Sequence, residues 1–176
     1  MRRVILDTSV YGKLSEDPQM TDIILRNLSK EFVIYGTDTI KNELRETPSH
    51  VFHEGKNLKN ILLSLYRAFV RKSRHDLRYN KLIETLAKDY MIEYRKKGGN
   101  ISDKKMKNDL IIIATATIYK LDIVISDDEK SMLSTKAVAA YKSVNTTYGI
   151  SDPVFMTYRI FRLELLNPKN YEERPL

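Results

Sequence analysis

The sequence predicts an α/β domain of three layers, with helices packed on both faces of a mainly parallel central sheet. Two observations carry that expectation. Short apolar runs at Val4-Ile5-Leu6, Phe32-Val33-Ile34-Tyr35 and Leu121 to Ile125 read as strands, and longer segments of helical spacing separate them. Parallel strands need such crossovers, so the alternation is that of an open parallel sheet. The first and last of these runs also end in acid, at Asp7 and at Asp127-Asp128. That end of a parallel strand is where α/β proteins place their chemistry.

The first strand is Arg3 to Leu6. Asp17-Pro18 starts a helix running to about Lys30, with Met20, Ile23, Ile24 and Leu28 on one face. The second strand closes at Gly36, and Thr37 or Asp38 caps a helix carrying Ile40, Glu43 and Leu44. Leu58 to Arg71 and Leu77 to Lys97 both show helical spacing, and we expect a helical hairpin insertion at about 57–98 beside the sheet. Gly98-Gly99-Asn100 stops the second of these helices. Periodicity alone does not separate strand from buried helix over Leu110 to Ala116. The strand at Leu121 to Ile125 needs a crossover before it, so Lys105 to Tyr119 is read as a helix. Helices at 135–147 and near 157–166 complete a single domain, expected to span 1–176.

Composition narrows the function. Hydrophobic residues make up 42% of the 176, an ordinary globular value. There is no cysteine, which excludes disulfides and thiolate metal sites. No apolar run reaches the roughly 18 residues of a membrane span, and the start of the chain has too short an apolar stretch for a signal peptide. A cytoplasmic protein without membrane contact is the expectation. The formal net charge is +7, which suits a polyanionic partner.

Four acids stand out: Asp7, Glu43, Asp109 and Asp128. Strand C-termini and the N-termini of following helices share one edge of a parallel sheet, so Asp7, Glu43 and Asp128 can meet there. Asp109 joins them if its helix starts at that edge. At the last motif Asp127 is the alternate for Asp128. Clustered carboxylates repel one another without a cation, and hard oxygen ligands suit Mg²⁺ or Mn²⁺. Taken singly, Glu43 also reads as a solvated helix acid, Asp109 as a helix N-terminal acid, and Asp127-Asp128 as a turn.

Lys104, Lys105 and Lys107 precede Asp109 and are the candidate nucleic-acid-binding cations, RNA included, or else a solvated helix face. Tyr79, Tyr90 and Tyr94 are candidate stacking residues, or else core. His50 and His53 read as a surface pair. Ser9 lacks the Gly-x-Ser-x-Gly setting of a nucleophile, and no glycine-rich phosphate loop is present.

Ile5-Leu6-Asp7-Thr8-Ser9, Ile40-Lys41-Asn42-Glu43-Leu44, Asn108 to Ala116 and Ile123 to Asp128 together resemble the PIN domain, a small nuclease fold related to flap endonucleases. The resemblance runs from residue 3 to about 162. It implies that Asp7, Glu43, Asp109 and Asp128 are catalytic and ligate Mg²⁺ or Mn²⁺, with Ser9 and Ser126 supporting them by hydrogen bonds. It implies a metal-dependent endoribonuclease, either an RNA-processing enzyme or a toxin of the VapC type paired with an antitoxin protein, and a homodimer. Two other readings stand beside it. One is a non-catalytic RNA- or protein-binding module. The other is a haloacid-dehalogenase-like phosphohydrolase, whose Asp-x-Asp would need an acid where Ser9 stands.

Overall fold

A computed structural model describes residues 1–167; the last nine residues of the expected domain lie outside them. Five strands form the central sheet: β1 (Arg2–Leu6), β2 (Phe32–Thr37), β5 (Asp76–Leu77), β6 (Ile123–Ser126) and β7 (Val154–Thr157). Their order is β5-β2-β1-β6-β7, and every pairing in this sheet is parallel. A separate antiparallel pair, β3 (Phe52–His53) and β4 (Lys56–Asn57), stands apart from it.

Helices cover both faces. On one side α1 (Thr8–Ser15) and α3 (Asp38–Glu46) pack with α4 (Leu58–Phe69), while α2 (Pro18–Asn27) lies against α1 and α8 (Tyr158–Leu166). On the other side α5 (Lys81–Lys96) packs against α6 (Asp103–Ile118) and α7 (Thr135–Tyr148). The three-layer expectation is met. The core lies between the layers, with Ile5, Leu6, Phe32, Ile34 and Val124 of the strands fully buried against Tyr11, Ile113 and Tyr141 of the helices.

The expected hairpin of helices is split. Leu77, read as the start of the second helix, instead joins Asp76 in the edge strand β5, paired with Gly36-Thr37. The helix begins only after Asn80, whose side chain caps it by accepting from the Ile83 N–H at 3.1 Å. With β5 between them, α4 packs on α1 and α3 while α5 packs on α6 and α7. Gly98 ends this stretch in the left-handed region, φ +75°, as a helix stop requires. Four short elements escape the sequence: α1, β3, β4, and β7 just before α8.

Strand order reverses at β1. The chain moves outward on one side to β2 and β5, then returns across β1 to β6 and β7. The crevice at the carboxyl ends of β1 and β6 is therefore the switch point where doubly wound sheets bind ligands.

Candidate active site

Asp7 occupies that crevice. Its backbone N–H continues the ladder to the Ile125 carbonyl at 2.8 Å, and its side chain caps α1 by accepting from the Ser9 N–H. Ending a strand and starting a helix with one residue fixes the carboxylate, which is only 5% exposed. A helix N-terminus also favours the negative charge.

Two hydroxyls complete its surroundings. Ser9 Oγ donates to Asp7 Oδ2 at 2.6 Å, and Ser126 Oγ donates to the same oxygen at 2.9 Å. Each hydroxyl then accepts a backbone N–H from the loop after β6. Ser9 takes that of Asp127 at 2.9 Å and Ser126 that of Asp128 at 3.0 Å. The exits of β1 and β6 are thus joined through Asp7 and two serines, the pair expected to support it.

Glu43 approaches from the first face. It sits in the second turn of α3, whose start is fixed by the Thr37 hydroxyl accepting from the Ile40 N–H at 3.1 Å. Its Oε1 accepts from Asn108 Nδ2 of α6 at 2.7 Å, and its Oε2 accepts from the Thr8 hydroxyl. Helices from opposite layers meet here. Burial, opposed by these two hydrogen bonds and reinforced by the nearby Asp7 and Glu46, raises the Glu43 pKa above its ordinary value.

Asp109 lies one residue further along α6. Its Oδ2 accepts from Ser131 Oγ at 2.7 Å, and the same hydroxyl reaches Asp128 Oδ2. Asp128 Oδ1 caps the following turn, accepting from the Lys130 and Ser131 N–H groups at 3.0 and 2.8 Å. Burial is the largest influence on Asp109, and the charges of Asp7, Asp128 and Glu43 add to it. Against the Ser131 hydrogen bond, they push its pKa up to about 7. Four acids from four segments therefore share one electrostatic neighbourhood.

Asp127 points elsewhere. Its carboxylate pairs with Lys13 of α1 at 3.3 Å, and it is not among the largest influences on Asp109. The geometry places Asp128, rather than the alternate Asp127, with the other three acids.

Of the three lysines, all exposed, Lys105 is one turn before Asp109 and shares its side of α6. Lys104 and Lys107 instead line a groove between α5 and α6 together with Tyr79. Tyr90 and Tyr94 are core residues, 0% and 2% exposed, so neither offers a ring to a ligand. Thr8, Asn108 and Ser131 were not singled out by the sequence reading. Thr8 and Asn108 flank acids directly, and Ser131 follows Asp128 at the three-residue spacing of a side-chain cap; those are the signals available for them.

The donors suit a hard divalent cation, since all four side chains offer carboxylate oxygens. Among the described residues, however, no group of three or more His, Cys, Asp or Glu side chains is arranged to hold a metal ion as it stands. Each carboxylate is turned to a hydroxyl or amide donor instead.

No known family model matches the chain, and no curated protein matches it. Among solved structures it is similar to a chain of VapBC2 from Rickettsia felis bound to a DNA fragment from their promoter, with a TM-score of 0.57 and 14% identity. The match covers 89% of this chain and 98% of that one. At this identity the likeness is one of fold alone. No described helix is long and apolar enough to cross a membrane.

Proposed function

We propose that the protein is a PIN-like, metal-dependent endoribonuclease that hydrolyses RNA phosphodiester bonds. The observation that carries this reading is the gathering of Asp7, Glu43, Asp109 and Asp128 at the switch point, close enough for three of them to raise the pKa of the fourth. The net charge of +7 suits a polyanionic substrate.

In this reading the four carboxylates hold Mg²⁺ or Mn²⁺, which when bound supplies an activated water and offsets charge on the leaving oxygen. The other residues orient the acids. Ser9 and Ser126 fix Asp7, Thr8 and Asn108 fix Glu43, and Ser131 ties Asp109 to Asp128. Lys105 lies where it can meet a phosphate approaching Asp109. Asp7 acts as a ligand rather than a nucleophile. The position two residues on, where haloacid-dehalogenase chemistry needs a second acid, holds Ser9, already bonded to Asp7.

The fold likeness to VapBC2 supports a role as the toxin of a toxin–antitoxin pair, with an antitoxin protein as partner, beside a role in RNA processing. A homodimer in the cytoplasm completes the proposal. One observation favours a second reading, a non-catalytic RNA- or protein-binding module: among the described residues no three acids converge as a ready cage. RNA cleavage assays with Mn²⁺ or Mg²⁺, and with a chelator, separate the two. Cleavage that appears with metal and vanishes with chelator is expected. Absence of both cleavage and calorimetric Mn²⁺ binding at millimolar metal would establish the second reading.

A further inference from the structure

The groove between α5 and α6 has a volume of about 400 Å³ and lies on the opposite side of α6 from Asp109. Its floor is apolar, formed by residues such as Met91 and Ile111. Tyr79 stands at its wall, 49% exposed as a residue. An aromatic residue left this exposed beside an apolar floor is unusual for a core position and offers a face for stacking.

The charges on the rim point to an anion. Both acids of the groove are already neutralised. Glu84 pairs with Lys88 at 2.6 Å, and Asp103 pairs with Arg95 at 2.5 Å. Lys104 and Lys107 form no ion pair among the described residues, and Lys107 feels the Glu84 charge only at longer range. Two uncommitted cations therefore stand over an apolar floor beside an open ring. They lie on the first turns of α6, at most about 8 Å along the helix axis from Asp109 at 1.5 Å per residue.

We propose that this groove is a subsite for the single-stranded RNA flanking the cleavage point, with one base stacked on Tyr79 and successive phosphates on Lys104 and Lys107. The inference rests on RNA as the substrate of the acidic centre. It divides the lysines by role: Lys105 serves the scissile region, whereas Lys104 and Lys107 hold the strand beyond it. Stacking tolerates any base, so the groove supplies affinity and a preferred strand length rather than sequence choice.

The test is fluorescence anisotropy of a labelled single-stranded RNA in EDTA, which reads binding apart from cleavage. Tyr79→Ala is expected to weaken binding roughly tenfold, and Tyr79→Phe to keep it, because the ring and not the phenol carries the contact. Lys104→Ala with Lys107→Ala is expected to lower the slope of log K against log salt by about 1.4. Circular dichroism checks that each variant is folded. In parallel metal-dependent cleavage, Tyr79→Ala and the double lysine variant raise KM for a long RNA and leave its kcat, and cleavage of a short RNA confined to the acidic centre, unchanged, while Tyr79→Phe keeps the wild-type KM. Wild-type protein that binds no RNA overturns the inference. So does wild-type affinity and salt slope in all three variants, an outcome that assigns the groove to a protein segment. Binding that depends on the groove without any cleavage keeps the subsite and removes the nuclease reading alone.

Discussion

Ser131 and Asp109 are joined by a 2.7 Å hydrogen bond from a hydroxyl that also reaches Asp128. A serine hydroxyl has one proton to give, so it satisfies one of the two carboxylates at a time. Burial, joined by the charges of Asp7, Asp128 and Glu43, raises the Asp109 pKa to about 7 from an ordinary 3.8. Between those values the folded protein keeps a proton that the unfolded chain has lost, and stability falls as pH rises through that window. The loss is at most roughly 4 kcal/mol. Glu43, raised chiefly by burial, works in the same direction. Urea unfolding in EDTA at pH 5 and pH 8 checks this. Asp109→Asn is expected to lose much of the wild-type difference and to be more stable than wild type at pH 8. An unchanged pH dependence in this variant contradicts the electrostatic account of the site.

The same repulsion predicts a response to metal. Mn²⁺ bound to the folded state alone raises stability by about 2.7 kcal/mol at a hundred times its Kd. Thermal melts across a Mn²⁺ series should rise for wild type and stay level for Asp7→Asn. A parallel rise in both proteins places the metal elsewhere.

Asp127 and Asp128 are adjacent in sequence and opposite in role. Asp128→Asn should cost on the order of a hundredfold or more in kcat. Asp127→Asn frees Lys13 from its 3.3 Å pair and should change kcat little. The ratio of the two kcat values decides the assignment, and equal losses would remove the distinction drawn from Lys13.

Gly36 controls the α3 entry. A Cβ built there would lie 2.1 Å from the Tyr66 hydroxyl oxygen and 2.5 Å from its ring carbon Cζ. Tyr66 cannot swing away freely, because it is buried and donates to Asp76 at 2.6 Å. Gly36→Ala should therefore cost about 1–3 kcal/mol. It should also lower kcat, since the next residue, Thr37, caps the helix that carries Glu43. Wild-type stability in this variant, measured by denaturant unfolding, rejects the clash.

Much of this arrangement is legible in the sequence, for identifiable reasons. Val4-Ile5-Leu6 and Ile123-Val124-Ile125 are short apolar runs ending in polar residues, a pattern that fixes both strand and exit. The roles of Ser9 and Ser126 follow from the resemblance of Ile5 to Ser9 and Ile123 to Asp128 to the PIN domain, not from the two serines alone. What escaped is set by tertiary contact. β5 is two residues long, and Leu77 reads equally as helix or strand until it pairs with Thr37. Helix α1 spans eight residues and gains its stability from burying Val10, Tyr11 and Leu14, not from a long periodic pattern. Asn108 gains its role only because α3 crosses α6 and brings Glu43 within 2.7 Å. Lys104 and Lys107 part from Lys105 through the rotation of the helix, which a cluster of like charges does not display.

The most direct test of the central claim is cleavage of single-stranded RNA by wild type and Asp7→Asn, each in Mn²⁺ and each confirmed as folded by circular dichroism. Wild type is expected to cleave only with metal, and the variant to lose that cleavage. A folded Asp7→Asn protein that cleaves at the wild-type rate would contradict that claim.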